Sequence, residues 1–133
     1  MSEKLQSNPF VVTLNSVKTL EYFRNRELTD KQQHDLLAAD EKLKQGIHLA
    51  GEFIQHPTDQ DKAIFMANLI VNALNNDDDA TIALACAYLA SRYVHLKQLK
   101  ISNYEDRVSI ELINDQLYAD PIPIKFIPKK DLL

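Results

Sequence analysis

The chain has 133 residues, a net charge of −4 and 45% apolar residues, enough for one domain around one buried core. That apolar content excludes a disordered body, and the single cysteine, Cys86, excludes an intrachain disulfide and a cysteine metal cluster. Only two glycines are present, Gly46 and Gly51, which argues against an all-β fold rich in tight turns and excludes a phosphate-binding or dinucleotide-binding glycine loop.

Residues 1–8 are polar and read as a loose N-terminus without the apolar run of a signal peptide. Phe10 to Leu14 is short and β-branched and follows Pro9, so it reads as a strand or an extended lead-in. Asn15 or Ser16 can cap a helix in which Val17, Leu20 and Phe23 share a face, with Tyr22 beside it. Arg24 and Arg26 fall in its last turn, where cations suit the helix dipole.

Thr29 followed by Gln32 is a capping-box pattern. Leu36, Leu43, Ile47, Ala50 and Ile54 keep a four–three phase, with Asp40 in the one apolar slot left over. That phase predicts a single helix from Asp30 to Gln55, ~39 Å long; a break at Gly46 is the alternative, because Lys42 and Lys44 precede it. His56-Pro57 ends it. Thr58 opens the next helix, which runs to about Asn75 and buries Ala63, Met66, Ala67, Ile70, Ala73 and Leu74. Phe65 and Leu69 widen that face to one side, and Asn68, Asn72 and Asn75 form a polar stripe.

From Asp79 to Leu99 the chain reads as a central helix, capped by Asp78 or Asp79, and only Thr81 is polar between Ala80 and Ala90. A helix apolar nearly all round must be wrapped by other elements. Ile82, Cys86, Leu89, Tyr93 and Leu96 form its bulky stripe, and Ala80, Ala83, Ala87 and Ala90 a flat one. The short Asn76–Asp78 link makes it an antiparallel neighbour of the preceding helix. After Leu99 the period changes to two: Val108, Ile110 and Leu112 alternate with polar residues, and Leu117 to Ala119 can return as a partner strand. Pro121, Pro123 and Pro128 restrict the remaining apolar tail to a sheet edge or extended packing, on its own domain or on another chain.

The expected fold is therefore α+β but mainly helical. It is a single domain over 1–133 with a helical body over 15–99: about four helices bundled around 79–99. A small antiparallel β element over 107–128 follows, to which residues 10–14 can join. The longest apolar run, Ile82 to Ala90, is nine residues, far short of the ~20 a membrane span needs. A cytoplasmic location without a membrane partner is expected.

Three functional readings follow. Residues 27–79 carry eleven acids and four bases. This disfavours a nucleic-acid backbone and permits a basic protein partner. The first reading is a non-enzymatic interaction or regulatory module that binds a protein, itself included as a homodimer. Its contact residues would be Asp35, Asp40, Glu41, Asn68 and Asn72. The second is a metal-binding protein or small enzyme, because His48, Glu52 and His56 fall four apart on one helical face. The third is a nucleic-acid-associated regulator using Arg92, Lys97, Lys100 and Arg107, with Tyr93 and Tyr104 interleaved. Cys86 reads as a packing cysteine and Asp77-Asp78-Asp79 as a helix cap rather than a cation loop. Ser91 and His95 lie one helical turn apart but lack an oxyanion loop and an orienting acid. No catalytic set and no cofactor is expected.

Overall fold

Four consecutive residues, Phe10 to Thr13, are each buried to within a few per cent. A strand buried on both faces belongs in the middle of a sheet. In a computed structural model of the chain, which describes residues 9–24, 27–105 and 107–118, that strand is β1 (Pro9–Leu14). It pairs antiparallel with β2 (Val17–Phe23) on one side and parallel with β5 (Gln98–Asn103) on the other. β6 (Val108–Ile113) completes a four-stranded mixed sheet of order β2-β1-β5-β6.

Parallel strands need a long crossover, and the helices supply it. Between β2 and β5 lie α1 (Asp30–Lys44), a two-stranded hairpin of β3 (Ile47–Leu49) and β4 (Glu52–Ile54), α2 (Asp59–Asn75) and α3 (Asp79–Arg92). The described chain thus holds three helices and six strands, and the expected four-helix bundle is replaced by an α+β fold. It is not mainly helical.

The sheet register explains the core. Tyr22 and Phe10 are cross-strand partners, as are Leu20 and Val12; Val12 stands beside Leu99, Leu14 beside Ile101, and these beside Leu112 and Ile110. All of them belong to one apolar layer with the helices. Val11, Thr13 and Gln98 point to the other face and are also buried. The chain after β6 crosses there: Gln98 Nε2 donates to the Gln116 carbonyl at 2.8 Å, and Lys18 Nζ lies 5.6 Å from the Tyr118 ring centre. Residues 116–118 therefore run over the sheet toward β2, and the expected return strand beside β6 is absent among the described residues; β6 pairs with β5 instead. The proline-broken tail, 121–128, lies outside the described residues.

Three expected helical stretches are corrected. Asn15 and Ser16 do not cap a helix; with φ of 50° and 71° they form the two-residue turn joining β1 to β2, a left-handed pair that matches strand twist. Asn15 suits the turn, and its Oδ1 accepts from the Asn103 N–H at 2.8 Å, tying the turn to the end of β5. The long helix stops at Lys44, since Gly46 has φ of 114° and a side chain there would meet the Phe53 ring. Ile47 and Ile54, seven apart and so in helical phase, face each other across the β3–β4 hairpin. The central helix stops at Arg92, and Gln98 and Leu99 belong to β5. Its buried residues are Ala85 to Ala90, whereas Ala80 and Ala83, expected on the flat stripe, are exposed.

The helices over 59–75 and 79–92 begin where the caps indicated. Thr29 and Thr58 both close capping boxes, with Gln32 and Asp61, and the Asp78 side chain accepts from Thr81 N–H.

Ser16 carries a left-handed backbone without the freedom of glycine, a cost of ~1 kcal/mol. Ser16→Gly relieves that cost but adds entropy to the unfolded chain, so the unfolding free energy in urea titration is expected to rise by no more than about 0.5 kcal/mol, without changing the slope.

Candidate functional site

α1 is held against the rest of the molecule by Leu36, Asp40 and Leu43 and leaves a gap beside them. Leu36 and Leu43 are buried, and Asp40 reaches α3, where both carboxylate oxygens accept from Arg92: 3.1 Å to Nε and 2.7 Å to Nη2. This pairing explains the acid in an otherwise apolar helix slot. Beside these anchors stand Ala38 and Ala39, too small to fill the space facing α2 and α3. The result is an open groove of about 630 Å³, walled by Ala38, Ala39 and Leu43 of α1 and by Phe65, Met66 and Leu69 of α2. Thr81 and Leu84 of α3, with Gly46, Ile47 and His48, complete the lining. Its lining is mainly apolar, the size and character of a site for an apolar ligand or partner side chains.

The sequence missed this groove. Its trace was the surplus width of the α2 face: Phe65 and Leu69 extend beyond what the antiparallel neighbour covers and stay half-buried.

The predicted contact residues scatter around it. Asp35 lines the groove and pairs with Lys31 at 2.9 Å. Asp40 is taken up by Arg92. Glu41 is exposed and faces Lys44 at 3.6 Å. Asn68 donates to the Ile64 carbonyl of its own helix, and Asn72 is exposed. The predicted metal set is separated, because its helix face does not exist. His48 lies in β3 and lines the groove, tilted against Phe53 at 5.0 Å; Glu52 lies in β4; His56 follows the hairpin. Among the described residues no group of three His, Cys, Asp or Glu is placed to hold a metal ion. Of the predicted basic patch, Arg92 is paired with Asp40, while Lys97 immediately precedes β5, Lys100 lies within it and Arg107 immediately precedes β6. Ser91 lies in the last turn of α3, which stops at Arg92, and His95 lies in the turn beyond, so they share no helical turn.

The titratable groups near α3 are shifted by identifiable causes. The hydrogen bond from Arg92 holds the Asp40 carboxyl below its usual range, and the Arg92 guanidinium is raised in return. Burial pushes the Cys86 thiol up to about 12, so it carries no thiolate near neutrality. Burial also raises Tyr93 to about 12, and Tyr88 is raised by burial first and then by the Asp40 carboxylate beside it. The Tyr93 hydroxyl donates to the Asp59 carbonyl at 2.8 Å, joining the exit of α3 to the start of α2.

No protein family, no curated protein and no solved structure matches this chain. No helix of the described residues is long and apolar enough to cross a membrane.

Cys86, Tyr88 and Tyr93 are acids kept neutral by the fold. Their folded pKa values lie above the unfolded ones, near ~8.5 for Cys and ~10 for Tyr. Their contribution to stability is therefore complete below ~8.5 and falls as pH rises toward about 12. Urea midpoints across this range are expected to be level at neutral pH and to drop on the alkaline side. Cys86→Ala should remove the earliest part of the drop.

Proposed function

We propose that the chain is a non-enzymatic, cytosolic protein-interaction module, and that it takes the apolar stripe of a partner helix into the groove between α1 and the α2–α3 hairpin. The observation that carries this reading is the groove itself: about 630 Å³, open, and floored by Phe65, Met66, Leu69 and Leu84. Ala38 and Ala39 on the opposite wall let a partner backbone approach closely. Helix-in-groove recognition lays the apolar face of an amphipathic helix into an apolar groove of this kind. The polar groups at the rim, Asp35, Lys42, His48 and Thr81, would set the register of a bound helix rather than perform chemistry. The buried, neutral Cys86 thiol supports a role without covalent catalysis.

Ala38 is exposed at the rim, so Ala38→Trp fills the groove without disturbing the core. Proteins captured by the wild type in quantitative affinity purification should be lost from Ala38→Trp at unchanged melting temperature. They should be retained by Lys100→Ala, a change on the sheet. Equal capture by both variants would contradict the groove as the contact.

A further inference from the structure

The two edges of the main sheet are treated differently. β2 carries a register shift opposite Val12 and Thr13, a Lys18–Glu21 ion pair at 3.8 Å, and a Thr19 hydroxyl that donates to the Val17 carbonyl. Bulges and charges of this kind blunt an edge against pairing with another chain. β6 has none of these. It is six residues long, regular in register along its whole length with β5, and free of proline and lysine. The chain that follows crosses the face of the sheet toward β2, away from this edge.

The hydrogen-bond phase shows which groups are open. Tyr104 N–H donates to the Arg107 carbonyl at 2.8 Å, and the Ile113 carbonyl accepts from Lys97 N–H. Main-chain direction alternates along an antiparallel strand, so residues 107, 109, 111 and 113 turn their N–H and C=O toward β5. Val108, Ile110 and Leu112 turn theirs outward, and no described strand accepts them.

We infer that the β6 edge binds the β6 edge of a second copy of this chain, antiparallel about a two-fold axis, to form a continuous eight-stranded sheet. The inference is independent of the groove. Its occupant is selected by charge. Arg107 and Glu111 are exposed, point to the same face, and have no ion-pair partner among the described residues; Arg107 lies only over the Tyr104 ring, at 5.1 Å. With Ser109 opposite Ser109 of the mate, each Arg107 stands opposite a Glu111, twice by symmetry. In the same register Val108, 41% exposed, stands opposite Ile110 of the mate and extends the apolar layer. The next register in one direction places Arg107 opposite Ile113, and the one after that sets the two Glu111 carboxylates against each other, an unfavourable pair. A strand edge with self-complementary charges fits an isologous contact.

Light scattering on the full chain tests this. The expected mass is twice the 15.2 kDa of one chain and falls on dilution. Arg107→Glu and Glu111→Arg, alone, should each give monomers, because like charges then oppose each other across the axis. An equimolar mixture of the two variants should return to dimers, since an edge carrying two acids then meets an edge carrying two bases. The double variant should dimerise with itself. Val108→Pro, which removes an outward N–H at an exposed position, should also be monomeric. A wild type that is monomeric at every concentration, single reversals that dimerise as the wild type does, or a mixture that stays monomeric would overturn the inference.

Discussion

The guanidinium of Arg24, at the end of β2, holds the point where helix becomes sheet. Its Nε donates to the Ala90 carbonyl at 3.1 Å and its Nη2 to the carbonyls of Tyr93, at 3.0 Å, and Leu96. The Ala90 oxygen lies in the last turn of α3, whose carbonyls lack helical partners, and the Tyr93 oxygen also accepts from Leu96 N–H at 2.9 Å in the turn that follows. One cation satisfies all three, lies 5.8 Å from the Phe10 ring, and thereby links β1, β2, α3 and the entry to β5. A charged donor suits a helix C-terminus, where the dipole is negative; hydrogen bonds to a charged group contribute about 1.5–3 kcal/mol each, and the desolvation of the half-buried guanidinium, which lowers its pKa, offsets part of the sum.

The rest of the architecture follows from stopping α3 there. The chain leaves the helix at Tyr93, buries Leu96, and enters β5 so that Val11 N–H donates to the Lys97 carbonyl at 3.1 Å. β5 can then lie parallel to β1 and place Leu99 and Ile101 in the helix-facing layer. The Asp40–Arg92 pair, at the last residue of α3, fixes α1 against the same corner. With α1 held there and by Leu36 and Leu43, the small Ala38–Ala39 pair leaves a trough beside α2. The groove is thus a consequence of where α1 is pinned, and its apolar floor is the part of the α2 face that the hairpin with α3 does not use.

The helices over 59–75 and 79–92 were legible because their caps are local: Thr58 with Asp61, and Asp78 with Thr81, are three residues apart. The strand over 108–113 was legible because its alternation is uninterrupted. The misread stretches all have spacings that two structures share. Val17, Leu20 and Phe23 step by three, as on a helix, yet Val17 and Phe23 are exposed and the burying residues are Leu20 and Tyr22, two apart. Ile47 and Ile54 step by seven, yet meet across a hairpin. Leu89, Tyr93 and Leu96 continue a helical phase through a point that Arg24 converts into a turn, and that contact spans about 70 positions in sequence. Arg24 was expected at a helix C-terminus, and it is at one, but that of α3 and not of its own segment. The candidate charges suffered from the same blindness to distance: Asp40 and Arg92 were assigned to two different surfaces and bind each other.

The most direct measurement is the stability of Arg24→Met, which keeps a long apolar stem and removes every donor, together with amide exchange in β5. The expected result is a loss of about 2–4 kcal/mol in urea unfolding, with protection at Leu99 and Ile101 falling before that of α2. A variant within ~0.5 kcal/mol of the wild type, with β5 protected as before, would show that the helix-to-strand junction does not depend on Arg24.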